Sequence, residues 1–118
     1  MKFAIGGQLN KTEIKELITK RGYEADIFTD TDASMKVKNK EYDYYVGACQ
    51  SGAGGALAMA YAVLGREHCG TIAMAGIKPS NEKVERFLDK GVVAFGFTND
   101  QADNAVTVLL DSLESRGE

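Results

Sequence analysis

Apolar and polar positions along this chain follow two different periods. Five short runs rich in β-branched or aromatic residues, at 2–6, 25–29, 42–49, 71–75 and 92–97, read as strands. Between them the apolar residues recur at helical spacing. Ile14, Leu17 and Ile18 mark a first helix, with Asn10 as its N-cap, Glu13 as a capping-box partner and Gly22 as its stop. Ala33 and Val37 are the only well-spaced apolar pair of a second, near 32–39. The third, about 55–64, is apolar all round and must be covered on several sides, by a central position or by a second copy of the chain. The fourth starts at Ser80, passes through Val84, Phe87 and Leu88, and ends at Gly91. In the fifth, Ala102, Ala105, Val106, Leu109, Leu110 and Leu113 share one face, with Thr98 or Asn99 as the cap.

Strands that alternate with helices predict an α/β fold with a parallel sheet covered on both faces by right-handed crossovers. For five strands in 118 residues the economical arrangement is a single doubly wound domain over 1–118, flavodoxin-like, with strand order 2-1-3-4-5. Residues 115–118 are expected to fray. The topology places a ligand beyond the carboxyl ends of the strands where the order reverses, between the loops that follow strands one and three.

Composition narrows the function classes. A net charge of −3 gives no electrostatic footprint for nucleic acid or an acidic membrane surface. Residues 44–65 are uncharged and numerous enough to cross a bilayer, but they hold five glycines, with Gln50 and Ser51 near the middle. A strand, a glycine loop and a buried helix laid end to end give the same run. The apolar stretch at the N-terminus stops at Gly6, too early for a signal core. The expected compartment is the cytoplasm, with Cys49 and Cys69 as thiols at opposite edges of the sheet. His68 reads as a surface histidine. Neither a metal nor a cofactor is expected, because no ligand cluster or nucleotide fingerprint is present.

The thirteen glycines, about 11% of the chain against an average near 7%, are the compositional anomaly. Six of them, Gly6, Gly7, Gly52, Gly54, Gly55 and Gly76, fall at the predicted carboxyl edge. The loop after strand one offers Gly7, Gln8 and Asn10. The loop after strand three offers Cys49, Gln50, Ser51, Gly52, Gly54 and Gly55, and runs straight into the third helix. Such a loop lets successive backbone N–H groups, with a helix N-terminus behind them, hold an anion without a lysine. The alternative is that these glycines only allow close packing. Cys49 stands where a thiol can serve as general base and acid, or is an inert buried cysteine. Lys78 after strand four and Asn99 after strand five complete the candidate ligand residues; Thr98 and Asp100 line the rim or cap the last helix. A receiver domain, which has an acidic pair after strand one and a phosphoacceptor aspartate at strand three, is excluded by Gly7-Gln8 and Cys49.

Three segments in order carry a resemblance across essentially the whole chain: Ile5-Gly6-Gly7-Gln8-Leu9-Asn10, Gly47-Ala48-Cys49 with the stretch from Gly52 to Ala60, and Phe95-Gly96-Phe97-Thr98-Asn99-Asp100. They are similar to the YhfU-like family of small bacterial proteins, which implies a cytoplasmic metabolic role. The cysteine-then-glycine loop also resembles that of the glycine-rich SFCGT proteins. Strand three and its helix resemble the ribose-5-phosphate isomerase B and galactose-6-phosphate isomerase group. That likeness implies that Cys49 is the base and that Ser51, Gly52, Gly54 and Gly55 form the anion loop. The chain departs from that group after strand one, where Gln8-Leu9 replaces an Asp-His pair, and it has no evident counterparts of the phosphate-binding arginines. The expectation is a protein that binds a small anionic metabolite, with an isomerase or lyase reaction if Cys49 is catalytic. The alternatives are a non-catalytic binding subunit and an interaction module, and the third helix favours a homo-oligomer, a dimer first.

Overall fold

The computed structural model describes residues 1–50 and 54–117. Five strands, β1 (Lys2–Gly7), β2 (Glu24–Ile27), β3 (Tyr44–Cys49), β4 (Cys69–Ala73) and β5 (Ala94–Thr98), alternate with five helices. The helices are α1 (Lys11–Lys20), α2 (Asp30–Lys38), α3 (Gly54–Leu64), α4 (Asn81–Asp89) and α5 (Ala102–Ser115). All strand pairs are parallel, in the order β2-β1-β3-β5-β4. The uncharged run 44–65 thus divides into β3 and α3, and no helix among the described residues is long and apolar enough to cross a membrane.

The α/β fold with a wholly parallel sheet is the expected one, but its last two strands exchange places relative to 2-1-3-4-5. Burial explains the exchange. Every residue of β5 is buried, whereas Thr71 of β4 is partly exposed. A run of Ala-Phe-Gly-Phe-Thr can be covered on both faces and on both flanks, and the more polar strand takes the edge. Right-handed crossovers then decide where each helix lies. The chain moves one way along the sheet through α2 and α3, which pack together on one face; it moves the other way through α1 and α4, which flank α5 on the opposite face.

The two faces differ in size of side chain. Phe3, Ile5, Val46, Phe95 and Phe97 meet α1, α4 and α5 in a bulky core, each large side chain contributing roughly 2–3 kcal/mol by burial. The other face presents Ala4, Tyr45, Cys49 and Ala94 to Ala56, Leu57 and Ala60 of α3. Small residues there let α3 lie close to the sheet, with its first turn at the carboxyl ends of β1 and β3. Its opposite side, with Ala58, Met59 and Ala62, is exposed.

Helix ends follow the sequence in part. Gly22, Gly65 and Gly91 hold positive φ just past α1, α3 and α4, and the Ser80 side chain caps α4 by accepting from Lys83 N–H. Asn10 precedes α1 but is left-handed, with φ 59°, and its side chain makes no cap bond. Its amide donates instead to Glu13 and to the Asn99 carbonyl. Neither Thr98 nor Asn99 caps α5: a 3-10 turn over Asn99–Gln101 intervenes and moves the helix start to Ala102.

Candidate functional site

The carboxyl ends of β1 and β3 lie side by side, with Gly6 paired to Gly47 and Gly7 to Ala48. Beyond them the chain turns sharply. The N–H groups of Gln8 and Leu9 both donate to the Ala48 carbonyl, at 2.9 and 3.2 Å, which closes the β1 loop over the end of β3. A pocket of about 370 Å³ opens at this point, lined by Gln8, Leu9, Cys49, Gln50 and Gly55. The sheet order reverses here, as the topology requires of a ligand crevice.

One buried side chain holds the pocket walls together. Tyr45 lies on β3 two alternations before Cys49 and is fully buried. Its hydroxyl accepts from Gly7 N–H at 3.1 Å and donates to the Ala56 carbonyl at 2.6 Å. The β1 turn and the first turn of α3 are therefore tied through one phenol. Burial, then the nearby charge of Asp30, pushes the Tyr45 hydroxyl far above its ordinary value, so it stays protonated and keeps both bonds. The ring occupies space that two glycines leave: a Cβ on Gly6 would lie 2.5 Å from it, and one on Gly47 would lie 3.0 Å from its oxygen. These glycines serve the tyrosine. Nothing in the composition singled out Tyr45; the signal was an aromatic residue alternating with Gly47 and Cys49 beside Gly6 on the neighbouring strand.

The predicted site residues separate into groups. Cys49, Gln8, Gln50 and Gly55 meet at the pocket, and the Gln8 side chain lies over Gly55, within 3.2 Å of where a Cβ would be. Gly54 opens α3 beside them. Gly7 supplies a left-handed turn, φ 77°, and one N–H to Tyr45. Ser51 and Gly52 lie outside the described residues. Asn10 and Asn99 meet each other at 3.1 Å, a structural tie between the β1 and β5 loops. Lys78 is exposed beyond β4. Because β5 separates β4 from β3, Lys78 stands two strand spacings, about 10 Å, from the line of β3 and does not line the pocket.

Cys49 is 2% exposed and is the only titratable side chain among the described residues that line the pocket. The first turn of α3, which points its N–H groups toward the loop, carries no acidic residue to compete with an anion. Neither cysteine is in a disulfide. Cys69 starts β4 at the far edge, and burial pushes its thiol up to about 11. No group of three or more potential metal ligands exists among the described residues. Two buried polar atoms lack a hydrogen-bond partner among the described residues: Oδ1 of Asp30, in the first turn of α2, and Oγ1 of Thr98, at the end of β5. A buried polar atom without a partner costs about 1–3 kcal/mol or more, so each is a mark that packing alone does not explain.

Residues 1–113 match the model of a family described as protein of unknown function DUF2620. The chain belongs to that family. It is 40% identical over 116 residues to the uncharacterized protein YhfU of Escherichia coli K12 and to that of Shigella flexneri, covering 96% of this chain and 98% of each relative. The DUF2620 fold is shared with solved structures of much lower identity. Ribose-5-phosphate isomerase B of Giardia lamblia superposes with a TM-score of 0.74 at 14% identity, over 95% of both chains. That of Clostridium thermocellum gives 0.70 at 19% identity, over 95% of this chain and 85% of the other. At these identities the likeness describes the fold.

Proposed function

We propose that this DUF2620 protein binds a small phosphorylated or carboxylated metabolite of the sugar-phosphate class in the pocket between the β1 and β3 loops, and isomerises it with Cys49 as the proton-moving group. One observation carries the reading: a thiol, two neutral amides and a helix N-terminus with no acidic residue in its first turn converge on one pocket at the reversal of strand order, in a fold shared with ribose-5-phosphate isomerase B. Gln8 and Gln50 hydrogen-bond the polar body of the ligand. The Cys49 thiolate removes a proton from the carbon next to a carbonyl, and the enediolate oxygen faces the N–H groups at the start of α3. The proton returns from Cys49 to the former carbonyl carbon while the proton of the neighbouring hydroxyl passes to the former carbonyl oxygen, so Cys49 ends as the thiolate it began as. We place the activity in the cytoplasm, where such a thiol stays reduced.

Ribose 5-phosphate is the first probe, followed by other aldose phosphates and sugar acids. Turnover by the wild type, lowered at least about 100-fold in Cys49→Ala with affinity retained, is the expected result. A second reading, a binding protein without turnover, is favoured by Gln8 and Gln50, two neutral amides that can hydrogen-bond a ligand but move no proton. Binding that is equal in wild type and Cys49→Ala, with no turnover in either, selects it. Absence of binding by every phosphorylated or carboxylated probe at millimolar concentration overturns both.

A further inference from the structure

Thr98 ends β5 in register with Cys49, which ends β3. Register partners on adjacent parallel strands project to the same face, with the strand axes about 4.8 Å apart. Two neighbours fix which face it is. Ala94 packs with Tyr45 and Cys49 under α2 and α3, and a Cβ on Gly96 would strike Leu57 and Ala56 of α3. Thr98 is the next residue in that alternation, so it points toward α3 beside Cys49, beneath the pocket that Cys49 lines.

The hydroxyl has none of its customary uses there. Thr98 is 1% exposed, so water does not satisfy it, and its Oγ1 makes no hydrogen bond among the described residues. It precedes the 3-10 turn Asn99–Gln101 at a position where threonine ordinarily caps, yet makes no cap bond. A valine would fill the same space without an unpaired polar atom. The group beside it in register that gains from a spare donor is a sulfur carrying negative charge.

We propose that Thr98 is a positioning residue for Cys49: its hydroxyl donates to Sγ when the thiol has given up its proton, and so holds the thiolate at the floor of the pocket. The proposal rests on the reading of Cys49 as the proton-moving group. Only one proton changes place: Cys49 releases it to the ligand or to water, and Thr98 keeps its own. Among the described residues, the titratable groups on this side of the sheet are Tyr45 on β3, Tyr42 just before it with its partner Asp26 on β2, Asp30 at the start of α2, Cys69 on β4 and Tyr61 on α3. All of them are the same in wild type and variant, so a difference between the two proteins reports Thr98.

The test is the pH dependence of iodoacetamide labelling at each cysteine in the folded chain, followed by mass spectrometry of the two peptides. In Thr98→Val the pH midpoint for Cys49 rises by about one unit, a tenfold loss of thiolate at fixed pH, whereas Thr98→Ser keeps the wild-type midpoint. Cys69, at the other edge of the sheet, is unmoved in both and serves as the reference. An unchanged Cys49 midpoint in Thr98→Val overturns the proposal, as does an equal shift in Thr98→Ser or a Cys49 that stays unlabelled through pH 10. The measurement uses no ligand. Failure of the sugar-phosphate reading, seen with ribose 5-phosphate, is therefore a separate result.

Discussion

A methyl group at Gly7 would stand 2.5 Å from the Ala48 nitrogen, in a residue whose φ is +77°. Both the contact and the dihedral oppose a side chain, so Gly7→Ala is expected to lower stability by about 3 kcal/mol. Gly22 also has positive φ but open space around it, and Gly22→Ala should cost only about 1 kcal/mol. Urea midpoints of the two variants separate steric from conformational cost. Tyr45→Phe leaves Gly7 N–H without its partner and should cost about 2 kcal/mol. The glycine stops were legible in the sequence because positive φ is a property of one residue. Tyr45 was not, because its importance depends on three segments that meet only in the fold. Cys69 makes a prediction about pH. Its folded thiol ionises near 11, above the ordinary value of about 8.5, so its contribution is intact below about pH 8.5 and lost as pH rises toward 11. Stability should fall by on the order of 2 kcal/mol across that window, and urea titrations of Cys69→Ala should show a flatter slope.

Among the elements, α3 decides the site, and its seat on the sheet is Gly96 of β5. A Cβ on Gly96 would lie 2.8 Å from the Leu57 side chain. Gly96→Val should therefore push α3 off β5, destabilise the chain by more than about 2 kcal/mol and weaken ligand affinity together. Unfolding and binding measurements on the same variant check both halves. The existence of α3 and its apolar character were plain in the sequence. Its apolar residues cover β3, β5 and β4 on one side and stay exposed on the other. The start of α5 was not legible, because Thr98 and Asn99 both have the chemistry of a cap and the 3-10 turn that displaces them is a tertiary outcome. Asn10 looked like a capping-box residue for the same reason. Its amide is drawn to Asn99, 89 residues away, and local pattern has no access to such a partner.

At the scale of the molecule, layers, the parallel sheet and the β1/β3 crevice follow from alternation and handedness, whereas the order of the last two strands depends on a comparison between them. β5 has no polar residue before Thr98; β4 has Thr71 at its centre. That difference is small in sequence and large in consequence, since it moves Lys78 away from the pocket and brings Thr98 beside Cys49. Hydrogen exchange should reflect the order: amides of β1, β3 and β5 are expected to exchange at least about 100-fold more slowly than those of β2, an edge strand whose Glu24 and Ile27 are exposed. The order also bears on synthesis. β4 leaves the ribosome before β5, yet among the described residues its strand partner is β5, and the flank of β3 stays open until β5 inserts. A nascent chain stalled after β4 but before β5 can assemble β2, β1 and β3 but presents a bare apolar edge and a stranded β4. The wall behind Cys49 is thus translated after β1, β3 and α3, and a product truncated before it has no finished pocket to expose.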